Sequence, residues 1–182
     1  KRGDIGNTSG RYAKAFFENY GVDAVTISPY MGRDSIEPFL SFKDKYAVLL
    51  ALTSNEGSRD FQYLEEKGVP LYEKVLRLSK KFKNSHKLMY VVGATKSENL
   101  KSIRKIVPDS FLLIPGVGAQ GGNLKDVVRN GINSNCGLIV NSSRGIIYAS
   151  QGNDFVEKAA EKAFELQKEM SEYLKLFNVT LH

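Results

Sequence analysis

The 182-residue chain is 42% hydrophobic and 25% charged, a composition with enough apolar residues for a sizeable core. No apolar run approaches bilayer length and no signal-peptide pattern opens the sequence, so no membrane partner is expected and the expected compartment is the cytoplasm. One cysteine, Cys136, and two histidines, His86 and His182, leave no internal disulfide and no transition-metal cluster of the usual kind; the net charge of +6 reads as a solvated lysine-rich surface that favours an anionic small molecule, with no nucleic-acid site.

Strand-like and helix-like segments alternate along the chain. Short β-branched or continuous apolar runs occur at 23–28 (DAVTIS), 46–52 (YAVLLAL), 87–92 (KLMYVV), 111–114 (FLLI) and 137–141 (GLIVN), as expected of strands buried on both faces. Between them, Ser9 can cap a helix that carries Ala13, Phe16, Phe17 and Tyr20 on one face and closes at Gly21. A short helix is predicted over 33–43. Residues 58–83 read as helical with a break at Gly68-Val69-Pro70, Pro70 opening a new first turn. The dense basic stretch Lys80, Lys81, Lys83 and Lys87 falls at a helix end, where cations suit the helix dipole. Leu100, Ile103 and Ile106 mark a further helix stopped by Pro108; Leu124, Val127 and Val128 mark one ended by Gly131; and a last helix runs from about 153 to 177.

Alternation of this kind means a parallel sheet with right-handed crossovers. An open doubly wound sheet and a closed barrel both fit. An eight-stranded barrel needs about 250 residues, so the five strands counted here would be its later part, a single domain over residues 1–182 whose earlier strands lie upstream. The opening residues read as a cut just after a strand.

Three motifs carry chemistry. Residues 1–8 (KRGDIGNT) lie between a presumed strand end and a helix start, on the catalytic face of a parallel barrel, where Lys1 and Asp4 could form a charged acid–base array; spacing alone favours a plain polar strand-to-helix loop, because lysine and aspartate are common in loops. Residues 114–122 (IPGVGAQGG) follow a strand, and their glycines let backbone N–H groups approach an anion before the next helix begins at about Asn123. The run Gly116–Gly121 also satisfies G-x-G-x-x-G, but it follows several strands and no acidic residue ends the next one to hold a ribose. Arg144 stands just beyond the last strand, beside the glycine loop, and an arginine there can take a phosphate through two parallel hydrogen bonds. From residues alone the reading reaches an α/β, barrel-like enzyme acting on a phosphorylated small molecule.

These segments together resemble the orotidine 5′-monophosphate decarboxylase family. KRGDIGNT is similar to the latter part of its Asp-x-Lys-x-x-Asp-Ile-x-x-Thr signature; VVGAT (91–95), PGVGAQGG (115–122) and the final strand with Arg144 are similar to the rest, in order, and SPYMGRDS (28–35) and LTSNEGS (52–58) resemble a bacterial branch. The resemblance implies a TIM (β/α)8 barrel, of which this chain covers about the last five strands and their helices. It also implies conversion of orotidine 5′-monophosphate to UMP and CO₂ in pyrimidine biosynthesis, without a cofactor. By position it makes Lys1 the general acid. It makes Asp4, with Ile5 and Thr8, a contribution to the partner's site across a homodimer. Ser54 becomes the contact to the pyrimidine edge, and Gln120 and Arg144 the phosphate grip, helped by the backbone at Gly121 and Gly122. The signature's first aspartate, two residues before Lys1, is absent from this sequence. The rival readings are a magnesium-dependent sugar-phosphate decarboxylase or aldolase on a similar barrel, a non-catalytic nucleotide-binding or assembly protein, and an NADP-dependent reductase.

Overall fold

The computed structural model describes residues 3–118 and 121–179. Five strands, β1 (Ala24–Ile27), β2 (Tyr46–Leu52), β5 (Leu88–Val92), β6 (Leu112–Pro115) and β7 (Leu138–Asn141), form one parallel sheet in the order β1-β2-β5-β6-β7. Spatial order follows chain order throughout, with no point at which it reverses. A doubly wound sheet reverses at its switch point; no reversal falls among these five strands, the order that an arc of a (β/α)8 barrel requires. Among the described residues β1 and β7 each pair on one side only.

The strands read from sequence all form, within one residue at each end, because their hydrophobic residues are wanted on both sheet faces. On β2, Ala47, Leu49 and Ala51 join Leu88, Tyr90, Val92, Leu112, Ile114 and Leu138 in a core that also takes Ile36, Phe39 and Leu40 of α2 (Arg33–Leu40), Ile103 of α5 (Leu100–Ile106) and Val127 and Val128 of α6 (Leu124–Gly131). The alternate residues Val48, Leu50, Met89, Val91, Leu113, Pro115 and Ile139 point to the other, concave face; Ile139, next to the open edge, is 40% exposed.

Several local expectations need correction. The first helix, α1 (Gly6–Lys14), begins before Ser9, with Ile5 at the N-cap. Ser9 is fully buried and its hydroxyl donates to the Ser35 carbonyl at 2.7 Å, so it is a polar tie between α1 and α2. A wider π turn, Ala15–Asn19, continues α1, and Gly21 at φ 67° releases the chain, as expected. Helix α2 stops at Leu40. After β2 comes a single turn, α3 (Ser58–Phe61), then a two-stranded antiparallel ribbon, β3 (Glu65–Glu66) with β4 (Val69–Pro70), whose turn uses Lys67 at φ 55° and Gly68 at φ 72°. Helix α4 (Leu71–Ser79) follows, with Pro70 at its N-cap.

The basic stretch caps helices other than its own. Lys87 Nζ donates to the Leu40 and Phe42 carbonyls, closing α2, and Lys80 Nζ reaches the Ile106 carbonyl at 2.6 Å, closing α5. A four-residue helix, α7 (Arg144–Ile147), leads into the long α8 (Phe155–Leu176), which packs Leu166, Met170, Tyr173 and Leu174 toward the core and leaves Phe155, Val156 and Phe164 exposed.

Candidate functional site

In a parallel barrel the loops leaving the carboxyl ends of the strands share one face, and the sequence motifs gather there. Ser54 and Asn55 follow β2, Thr95 follows β5 and Pro115 ends β6; with Leu50 and Val91 of the concave face they line a depression of about 470 Å³. Ser54 is half-buried, and among the described residues its hydroxyl has no hydrogen-bond partner. It therefore has a donor and an acceptor to offer a bound molecule.

The strand ends are locked together by close backbone approaches. At the end of β5, Gly93 donates its N–H to the Leu52 carbonyl at 2.8 Å and lies directly against Ser54. Its neighbour Ala94 lies against Gly122, where a β-carbon would come within 2.3 Å of the Ala94 β-carbon and 2.8 Å of the Gly116 carbonyl oxygen. Ser54, Gly93, Ala94 and Gly122 thus form a continuous contact across the ends of β2, β5 and β6. The glycine loop closes on itself: Gly118 N–H donates to the Gly122 carbonyl at 2.9 Å and Gly121 N–H to the Gly118 carbonyl at 2.8 Å. Gly116, Gly118 and Gly121 hold φ of 91°, 75° and 81°, which side-chain-bearing residues rarely adopt. Helix α6 begins immediately afterwards with Asn123 as a true N-cap, its side chain accepting from Asp126 N–H at 3.3 Å. Gly121 is exposed and Gly122 buried.

Arg144 is the first residue of α7, exposed, with no hydrogen bond or ion pair to its guanidinium among the described residues. A second depression, about 360 Å³, lies between Gly118, Gly122, Gly145 and α8. Glu165 and Glu169 line it and its Lys162 is already paired to Glu165 at 2.6 Å, so this side of the loop does not suit an anion.

The opening motif comes to the same face. A β-carbon on Gly3 would lie 3.3 Å from the Met31 methyl, and Met31 belongs to the loop that leaves β1. Asp4 and Ile5 are exposed, Ile5 by 50%, and Thr8 is half-buried on the first turn of α1. Lys1 and Gln120 lie outside the described residues.

Sequence reasoning did not single out Gly93 and Ala94, although both fall in the VVGAT segment, nor Gln62, whose carboxamide holds Thr53 beside Ser54 by two 2.8 Å hydrogen bonds. The glycine-alanine dipeptide at a strand end was the available signal for the first pair; Gln62 had none. On the far side of the barrel, Arg104 is buried enough for its guanidinium to be pushed down to about 10, with nearby Asp109 and Cys136 opposing the shift. It stays cationic at neutral pH, and among the described residues its hydrogen bonds go to carbonyl oxygens of the scaffold.

A singly wound parallel arc with its glycine loop, serine and arginine at the carboxyl ends of the strands defines a barrel protein of the (β/α)8 class, with its functional loops on one face. Within that class, the chain belongs to the orotidine 5′-phosphate decarboxylase / HUMPS family, whose model matches residues 1–162. Proteins named orotidine 5′-phosphate decarboxylase from Flavobacterium johnsoniae and Porphyromonas gingivalis are 62% identical over 174 residues and 59% identical over 171 residues. These matches cover 96% and 93% of this chain but 64% and 62% of the relatives' own length. Among solved structures, Leishmania donovani UMP synthase superposes with a TM-score of 0.79 at 37% identity, over 92% of this chain and 37% of that one. Leishmania donovani OMP decarboxylase superposes with a TM-score of 0.76 at 35% identity, over 88% and 62%.

Proposed function

We propose that this chain carries the catalytic face of an orotidine 5′-phosphate decarboxylase, which converts orotidine 5′-monophosphate to UMP and CO₂ without a cofactor. The observation that carries the reading is the continuous packing of Ser54, Gly93, Ala94 and Gly122, which fixes a serine hydroxyl with no partner among the described residues relative to a glycine loop two strands away. A nucleotide needs this arrangement: one polar group for the base and a loop that holds the phosphate, at a set separation.

Loss of CO₂ from orotate leaves an electron pair in the ring plane, where the π-system delocalises it poorly, so the barrier is high. The Lys1 ammonium stabilises that developing charge and then delivers the proton to the ring carbon. Asp4 reaches the partner's site in a homodimer, so each lysine has the other subunit's carboxylate beside it, which favours its charged form. The half-exposed Ile5 side chain at the start of α1, with Thr8, lines that shared site, which covers an apolar group otherwise left in water. Ser54 contacts the pyrimidine edge. Gln120 and Arg144 grip the phosphate, and that remote binding energy offsets loop closure over the ring; the Gly121 and Gly122 N–H groups donate here to the Gly118 and Gly116 carbonyls and help only once released from them.

The edges of β1 and β7, unpaired among the described residues, fit closure by further strands into one barrel. No helix among the described residues is long and apolar enough to cross a membrane; the cytoplasm is the proposed compartment because the proposed substrate is a biosynthetic nucleotide. The test is decarboxylation by the full natural chain, followed as loss of orotate absorbance. Turnover that persists in EDTA is expected and separates this reaction from those of magnesium-dependent barrels. A protein that neither turns over orotidine 5′-monophosphate nor binds UMP would remove the assignment.

A further inference from the structure

The structure assigns Gln62 the role of a positioning residue that sets the Ser54 hydroxyl against the base, an inference resting on the reading of Ser54 as the pyrimidine contact. The β2–β5 ladder cannot do this by itself. Its register shifts between Leu50 and Leu52, and its last hydrogen bond there runs from Gly93 N–H to the Leu52 carbonyl. Thr53, Ser54 and Asn55 lie beyond the ladder, so something else must hold them.

Gln62 does so from the turn that ends α3. Its Oε1 accepts the Thr53 backbone N–H at 2.8 Å and its Nε2 donates to Thr53 Oγ1 at 2.8 Å. The amide orientation is forced, because a backbone N–H can only donate and so must face the oxygen. With Thr53 Oγ1 accepting from Gln62, its own proton goes to Asn55 Oδ1 at 2.5 Å. Both neighbours of Ser54 are therefore fixed, and Gly93 blocks it from behind. Gln62 is itself anchored: its N–H donates to the Ser58 carbonyl at 2.9 Å and its carbonyl accepts from Tyr72 N–H at 3.0 Å, at the start of α4. The clamp is built on scaffold, as a site that must hold a hydroxyl to a fraction of an ångström requires.

The test compares two ligands by calorimetry in the full natural chain, UMP and ribose 5-phosphate, which lacks the ring. Gln62→Met keeps the side chain's length and removes both hydrogen bonds. It should weaken UMP about tenfold, the size of one well-placed hydrogen bond, and leave ribose 5-phosphate within about twofold. Gln62→Glu keeps an acceptor for Thr53 N–H but turns the threonine hydroxyl away from Asn55, and should fall between wild type and Gln62→Met. It carries the test if thermal unfolding shows that the methionine variant does not fold. In a Ser54→Ala background Gln62→Met should add less than about twofold, because residues that act through one another are not additive. Equal weakening of both ligands, or a full effect without the Ser54 hydroxyl, would overturn the positioning role while leaving the proposed activity standing. Failure of the wild-type protein to bind UMP overturns the proposed activity and this role with it.

Discussion

Gly93 approaches Ser54 so closely that a β-carbon at position 93 would sit 2.5 Å from the Ser54 hydroxyl oxygen and 2.9 Å from its backbone nitrogen. The Gly93 backbone, at φ −62° and ψ 139°, is open to any residue. Space, not conformation, is what demands glycine here. Gly93→Ala should therefore displace Ser54 toward the depression with little backbone strain elsewhere. The expected cost in stability is about 1–3 kcal/mol, typical of overpacking, with at least a tenfold loss of UMP affinity. Denaturant unfolding and calorimetric titration of the same preparation check both. A variant that binds UMP normally would show that the Ser54 position does not matter to the base.

The second close approach makes a different prediction. An added β-carbon on Gly122 meets Ala94 at 2.3 Å and the Gly116 carbonyl oxygen at 2.8 Å. Gly122→Ala should push the glycine loop away from β5 and weaken ribose 5-phosphate and UMP alike, because the damage falls on the phosphate end. Ala94→Gly in the same chain removes the closest clash but leaves the carbonyl contact, so it should restore part of the lost affinity and not all. Complete restoration would mean that Ala94 alone sets the loop position.

The strands were legible because a parallel sheet covered on both sides must be written as continuous apolar runs, and YAVLLAL and KLMYVV are such runs. Strand order was not legible, since both sheet types share that pattern, and it took the observed β1-β2-β5-β6-β7 sequence to show that these five strands run without reversal. Ser9 misled for a related reason: a serine before an apolar stripe looks like a cap, but only tertiary contact reveals that it is buried against Ser35. The ribbon at 65–70 sits in residues whose charges fit a helix surface equally well, and Lys67 and Gly68 in left-handed conformation decide the matter locally. At the site, the glycine loop and Arg144 could be read from their place after strands. The Ser54–Gly93 and Ala94–Gly122 contacts could not, because they join residues from different strands whose spacing in sequence carries no information about distance.

Arg104 offers a stability prediction away from the catalytic face. Its three guanidinium nitrogens lie 2.6–3.1 Å from the carbonyl oxygens of Gly131, Val107, Pro108, Ser110 and Gly137. It joins the end of α5, the end of α6 and the start of β7. Burial pushes its guanidinium down to about 10, still well above neutral, so every donor is charged under ordinary conditions. Arg104→Met leaves those carbonyls without their partner and should cost about 3 kcal/mol or more, given about 1.5–3 kcal/mol for a hydrogen bond to a charged group. Arg104→Lys cannot reproduce the fork and should recover less than half of the loss. Urea unfolding midpoints at constant slope check this, with substrate affinity expected to stay near normal in the folded fraction.

Arg144 predicts the opposite division between stability and function. It is exposed at the first position of α7, and among the described residues nothing in the scaffold holds its guanidinium. Removing it should leave the melting temperature within about 2 °C, as for most surface substitutions. If it grips the phosphate, Arg144→Ala should lower kcat/KM for orotidine 5′-monophosphate by about a hundredfold or more, because binding energy at the phosphate is used in the transition state at the ring. Lys1→Ala should instead abolish turnover while UMP binding stays measurable, since the lysine acts on the reacting carbon and the phosphate grip remains. The two variants thus separate along one axis: Arg144→Ala loses affinity for UMP and ribose 5-phosphate together, and Lys1→Ala loses chemistry with binding retained. Near-normal turnover of Arg144→Ala in the full natural chain would place the phosphate elsewhere, and substantial decarboxylation by Lys1→Ala would take the proton donor's role away from Lys1.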